Sequence, residues 1–183
     1  GTGVDGGWCD YNNSTDDLNW IRGTDATIDG TDLNGSDYLY IYDNSSNDFE
    51  QHIETAAMDL SNYCGVDISF FYIFDEGPST DRIEVYWHEG DGPGTYVPIG
   101  TDITTESLTW TEFTITEDLT TVGLDLTNIK FDIGYQDGSS STAQNWAAID
   151  NICIIPIESI TNVSLFADGS CSGNDATFTV SFD

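Results

Sequence analysis

The sequence predicts an all-β protein built as a sandwich of two antiparallel sheets. Apolar residues recur at alternate positions through several runs, the signature of strands with two chemically distinct faces. No stretch carries the three-to-four spacing of an amphipathic helix. Loops rich in Gly, Asp, Ser and Pro separate the runs at short intervals, as a sandwich of short strands requires.

The strands can be justified one by one. In residues 37–43 (DYLYIYD), Tyr38, Tyr40 and Tyr42 share one face while Leu39 and Ile41 share the other. In ISFFYIF, Ile68, Phe70, Tyr72 and Phe74 alternate with Ser69, Phe71 and Ile73, so this strand is apolar on both sides and belongs inside a sheet. Ile83, Val85 and Trp87 alternate with Glu84, Tyr86 and His88, which predicts a half-buried strand with Trp87 in the core. Residues 110–115 repeat the pattern, and Ile129, Phe131, Ile133 and Tyr135 alternate with Lys130, Asp132 and Gly134. A last strand is predicted over residues 147–155, ended by Pro156. The turns between them include residues 75–81 (DEGPSTD), 89–94 (EGDGPG) and 136–145 (QDGSSSTAQN).

Beyond Pro156 the pattern restarts. ITNVSLF and ATFTVSF flank ADGSCSGND, and the 25 residues 159–183 are too few to bury a core of their own. The predicted division is a sandwich domain over 1–157 and, over 158–183, the opening strands of a second domain or a C-terminal hairpin. The chain starts at Gly1 without an initiator Met, which suggests a mature fragment of something larger.

Composition narrows the function. Thirty-three acidic residues face three basic ones (Arg22, Arg82 and Lys130), for a formal net charge of −30 over 183 residues. Such a surface disfavours nucleic acid and anionic polysaccharides, because each is bound through Lys or Arg that replace counterions. Its self-repulsion calls for salt or bound cations, which fits a calcium-containing medium outside a cell. Direct membrane insertion is not expected, since the longest apolar stretches fall well short of the roughly 18 residues that span a bilayer. Cys9, Cys64, Cys153 and Cys171 are spaced too widely for a zinc ribbon, leaving disulfides of an oxidising compartment or buried thiols.

Catalysis finds little support. His52 and His88 lie in different segments without a nucleophile motif, and Glu84 and Glu89 would fall on opposite faces of one strand. Aromatic side chains carry the binding signal, because an exposed ring beside Asp or Asn can stack on a neutral sugar while the polar groups meet its hydroxyls. Tyr86, Trp110, Tyr96 and Trp146 are the candidates, Tyr86 foremost because it shares an outward face with His88.

Three segments in order, GWCDYNNSTDDLNWIR, GSDYLYIYD and WAAIDNICI, resemble the MAM domain and its bacterial MAM-like relatives. That family carries Gly-Trp before an acidic run ending in Asp-Phe-x-Trp, then Gly-x-Tyr-Leu, and a closing Ala-Ile-Asp-Asp/Asn-Ile. Here Leu18 replaces the usual aromatic, and the family's first Cys has no counterpart near Gly1. The resemblance covers about residues 4–155 and implies an antiparallel jelly-roll sandwich. It also implies a structural Ca2+ where the first strand meets the last, with Asp5 and Asp150 as ligands and Asp37 and Asp17 as secondary candidates. A Cys64–Cys153 disulfide would match the family's later pair in order. The tail separately resembles the start of immunoglobulin-like repeats in bacterial surface adhesins.

Composition and resemblance together predict a non-catalytic module of a large secreted or cell-surface protein. Its role would be adhesion, recognition or spacing, with neighbouring domains of the same chain and a surface glycan or protein as partners. The alternative is a carbohydrate-binding module that targets an attached hydrolase to a neutral polysaccharide.

Overall fold

The computed structural model describes residues 8–12, 20–23, 38–43, 50–75, 80–90, 95–138, 145–158, 163–167 and 178–182, and every regular element among them is a strand. In chain order these are β1 (Trp8–Asn12), β2 (Ile21–Gly23), β3 (Tyr38–Asp43), β4 (Glu50–Thr55), β5 (Tyr63–Asp75) and β6 (Arg82–Glu89). They continue as β7 (Tyr96–Pro98), β8 (Ser107–Asp118), β9 (Ile129–Gln136), β10 (Asn145–Glu158), β11 (Val163–Ala167) and β12 (Phe178–Phe182).

Ten strands form two five-stranded antiparallel sheets, the first in the order β1-β4-β9-β6-β7 and the second in the order β2-β3-β10-β5-β8. Neighbours in a sheet are mostly distant in sequence, as in a jelly roll, which confirms the expected fold class. β11 and β12 pair with each other as a separate two-stranded sheet.

The alternation of each strand explains the layering. Ile83, Val85 and Trp87 of β6 and Phe131, Ile133 and Tyr135 of β9 turn to one side of the first sheet. They meet Val66, Ile68, Phe70 and Phe74 of β5 in one contiguous core. Phe74 and Tyr135 touch edge to face across the two sheets at 6.4 Å, and Phe113 of β8 stacks on Phe70 at 4.7 Å. Burying each such ring contributes about 2–3 kcal/mol, so this layer dominates the stability of the sandwich.

Several expectations are corrected. β6 is buried on both sides rather than half-buried, because Glu84 and His88 on its outward face are covered as well. Pro156 does not end β10, which continues to Glu158 with Pro156 in register with Val66. Among the described residues β3 pairs β10 over Asn145–Ile149, and Pro156, which has no N–H to give a neighbour on that side, lies beyond this pairing.

A bulge governs the middle of β10. The register with β5 shifts between Asp150 and Cys153, and Asn151 adopts a left-handed φ of 52°. This one extra residue lets Ile149, Ile152 and Ile154 all pack on the core. It also turns Cys153 to the outward face, in register with Ser69, the face that Asp150 shares through its pairing with Phe71. Cys64 lies on the other face, its Sγ 3.4 Å from the Glu158 carbonyl. The expected Cys64–Cys153 bridge is therefore overturned. Both thiols are free, and five residues of strand, about 17 Å, separate Cys64 from Ser69, the partner of Cys153, well beyond disulfide reach.

Candidate functional site

The outward face of the first sheet carries an unusual set of side chains. Strand alternation sends Glu50, His52 and Glu54 of β4 to the side opposite the core, with Lys130, Asp132 and Gly134 of β9 beside them. Arg82, Glu84, Tyr86 and His88 of β6 join them, and Tyr96 of β7 pairs with His88 at the edge. Outward sheet faces are ordinarily solvated, yet His52, Glu84, His88, Lys130 and Asp132 are all at most 7% exposed.

Such burial of charge is tolerable only with partners, and the face is organised as three networks. His52 donates from Nδ1 to Asp132 Oδ1 at 2.7 Å and from Nε2 to Glu50 Oε1 at 2.8 Å. Burial pulls its imidazolium down, but the hydrogen bonds and charges of Asp132 and Glu50 prevail and lift it from 6.5 to about 10. The hydrogen bond from His52 holds the Glu50 carboxyl below its usual range, whereas burial pushes the Asp132 carboxyl up against the pull of His52.

In the second network Arg82 donates to Glu84 and to Gln136, and also lies 3.4 Å from Asp102. Glu84 accepts the Tyr86 hydroxyl at 2.7 Å, and burial together with that carboxylate pushes the phenol up. In the third, Glu54 takes Lys130 Nζ at 2.8 Å and has His88 Nδ1 at 3.6 Å.

The rings sit over this floor. His88 stacks under Tyr96 at 4.6 Å and 18°, so a buried imidazole supports a half-exposed phenol. Tyr86 meets Tyr96 edge to face at 5.7 Å, and His52 lies 5.8 Å from Tyr96. Gly134 makes the close approach of His52 possible, since a Cβ there would stand 2.8 Å from the ring. The result is a pair of braced tyrosines over a surface in which Arg82, Lys130 and the His52 imidazolium face Glu50, Glu54, Glu84, Asp102 and Asp132. In a chain of net charge −30 with three Lys and Arg in all, that gathering of cations is a local exception.

The four aromatic candidates do not come together. Tyr86 and Tyr96 share this face, whereas Trp110 and Trp146 lie on the outward face of the second sheet. Among the metal candidates, Asp5, Asp17 and Asp37 lie outside the described residues. Asp150 is half-buried on the outward face and accepts the Asn151 N–H at 2.7 Å. Among the described residues no three His, Cys, Asp or Glu converge as metal ligands.

His52 and His88, unconnected in sequence, prove to be neighbours of the same tyrosine. The signal that could have found them is the polar half of each alternation. Arg-x-Glu-x-Tyr-x-His and Lys-x-Asp-x-Gly-x-Gln each place ionisable groups of both signs on the side opposite an apolar row, and Glu-x-His-x-Glu does so opposite Ile53.

No protein-family model and no curated protein matches the chain. Solved structures share its fold at low identity. A family 22 carbohydrate-binding module from Paenibacillus barcinonensis, described as a xylan-binding domain, aligns with a TM-score of 0.55 at 10% identity over 86% of this chain and 90% of that one. The K1 cleaved adhesin domain of Lys-gingipain from Porphyromonas gingivalis aligns with a TM-score of 0.54 at 18% identity over 84% and 92%. The enzymatically active domain of tailspike protein 4 of bacteriophage CBA120 gives 0.57 at 14% identity over 83% of this chain, which spans only 20% of that structure. The shared feature is the β-sandwich, seen in carbohydrate-binding modules and an adhesin domain alike.

Proposed function

We propose that the chain is a non-catalytic carbohydrate-recognition module of a secreted or cell-surface protein, binding a neutral polysaccharide on the outward face of its first sheet. Tyr96, stacked on His88, and Tyr86, anchored by Glu84, supply the rings against which a sugar packs. Glu50, Glu54, Arg82 and Gln136 around them supply acceptors and donors for its hydroxyls.

The observation that carries this reading is the charge balance beneath two braced tyrosines on a chain that is otherwise strongly anionic. A ligand without charge gains nothing from the acidic remainder of the surface and loses nothing on the balanced face. The carboxylates of this face are engaged with Arg82, His52, Lys130 or Tyr86, which suits binding better than acid–base turnover. This brings the carbohydrate-binding reading ahead of a purely adhesive or spacer role.

The adhesive setting remains part of the proposal. The separate β11–β12 sheet after the sandwich suits a chain with further domains, divided near residue 157, and the MAM-like motifs suit a surface protein. A structural Ca2+ at Asp5 and Asp150 belongs to the same reading; a melting temperature identical in chelator and in millimolar calcium would remove it. The test of the main reading is an array of neutral and charged glycans followed by calorimetry. One neutral glycan family should bind and should be lost in Tyr86→Ala and Tyr96→Ala, whereas a preference for sulfated or uronic glycans would overturn it.

A further inference from the structure

The second sheet carries a groove of its own, on the side of the sandwich opposite the two tyrosines of the first sheet. It has a volume of about 320 Å3, and its outward-pointing lining is Asp67 and Ser69 of β5, Thr114 and Thr116 of β8, and Ile155 of β10.

Strand pairing accounts for the hollow. β10, β5 and β8 run side by side, with Cys153, Ser69 and Thr114 in one row across them and Ile155, Asp67 and Thr116 in the next. The first row holds only small side chains. Phe71 and Glu112 stand on one side of it and Ile155 and Asp67 on the other, so the sheet surface dips between them. The register shift after Asp150 sets these rows, because it brings Cys153 opposite Ser69 and Ile155 opposite Asp67.

The lining combines aliphatic surface with hydroxyls. Ile155 is 56% exposed and offers a wall for the C–H side of a sugar ring. Ser69 and Thr114 bring hydroxyls that both donate and accept, as the hydroxyls of a sugar do. Thr116 donates to Asp67 Oδ1 at 2.5 Å, which fixes a carboxylate with further lone pairs to receive a ligand O–H. An anion would meet Asp67 and find no Lys or Arg in this lining, and a metal ion would find a single carboxylate. The volume lies at the small end of the roughly 300–1,000 Å3 of ligand sites, which suits a short saccharide better than a protein segment.

We propose that this groove is a second saccharide site, taking about one or two units of a neutral glycan between Ile155 and Thr114, with a sugar hydroxyl donated to Asp67. No aromatic ring lines it, so it holds short saccharides at millimolar concentration, too weakly to be retained on an array. The groove does not depend on the tyrosine site. One consequence does rest on that reading: with sites on opposite faces, a single module holds two strands of a polysaccharide.

The test follows the methyl signals of Thr114, Thr116 and Ile155 by NMR in the full chain. The probes are di- and trisaccharides of glucose, galactose, mannose and xylose. At least one should move all three signals saturably, with a Kd of about 1–10 mM. That movement should persist in Tyr96→Ala. Asp67→Asn and Thr114→Val, both at exposed positions, should each weaken it about fivefold. The proposal is overturned if no saccharide moves these signals saturably, if both variants bind as the wild type does, or if argininamide moves them more strongly than any sugar. Loss of the movement in Tyr96→Ala would overturn it too, since the signals would then report the first sheet. Failure of the first-sheet reading looks different: an array without binders while the groove signals still move.

Discussion

His52 and Asp132, eighty positions apart in sequence, form a buried ion pair with Nδ1 and Oδ1 separated by 2.7 Å. The pair lies on the outward face of a sheet, where burial of charge is uncommon, and it underlies the two tyrosines of the proposed binding surface.

Stability should therefore fall in alkali. His52 is lifted from 6.5 to about 10 by Asp132 and Glu50 against the pull of burial, so its contribution is complete below pH 6.5 and is lost as pH rises through about 10. Glu50 is lowered, so its part is present above the ordinary carboxylate range and lost as pH falls. Unfolding free energies from urea titrations between pH 6 and 10 should decline by an amount on the order of a few kcal/mol, and His52→Gln should flatten that slope. An unchanged slope in His52→Gln would remove the pair as its source.

How much of this was legible in the sequence depends on which half of each alternation is read. The apolar half placed β5, β6 and β9, because Phe70, Trp87 and Phe131 leave no choice of face. β4 was missed because EQHIET offers Ile53 as its one large apolar residue, its other buried positions being Gln51 and His52. The short edge strands β1, β2 and β7 gave no period to detect. The bulge at Asn151 was equally invisible, and it alone decides that Cys153 faces away from Cys64. The site itself needed cross-strand neighbours that only the pairing of β4, β9 and β6 provides.

Gly134 should tolerate no side chain. A Cβ would lie 2.8 Å from His52 Cε1 and 3.0 Å from Nδ1, and the ring cannot retreat while Asp132 and Glu50 hold both nitrogens. Gly134→Ala should cost about 1–3 kcal/mol in denaturant unfolding and bring the His52 titration, followed by NMR, back towards neutrality. A variant with wild-type stability and titration would mean that the contact is not tight.

Asp81 should prove to be a structural carboxylate. It is 1% exposed and accepts the Tyr135 hydroxyl at 3.0 Å, the Gly138 N–H at 3.0 Å and Asn145 Nδ2 at 2.6 Å, tying β9 to the start of β10. Asp81→Ala removes the acceptor of three donors and should destabilise by about 3–5 kcal/mol. Asp81→Asn should also be destabilised, since its amide would turn a donor towards other donors. A loss below about 0.5 kcal/mol in the alanine variant would refute that role.

Binding of a neutral ligand to the outward face of the first sheet should be nearly insensitive to salt. There Arg82, Lys130 and the His52 imidazolium offset most of the charge of Glu50, Glu54, Glu84, Asp102 and Asp132. A neutral oligosaccharide bound there meets little net field, so its affinity should change less than twofold as the screening length shrinks from about 30 Å to about 3 Å. Tyr96→Ala removes the ring stacked on His88 and should cost at least tenfold in affinity, whereas Tyr86→Phe keeps the ring, loses the bond to Glu84 and should cost only a few-fold. Calorimetry of one neutral glycan across a salt series, with the wild type and both variants, checks this. Oligosaccharide binding that collapses in high salt would show that the ligand of the first sheet is ionic, and the charge balance would then no longer support a neutral-glycan site.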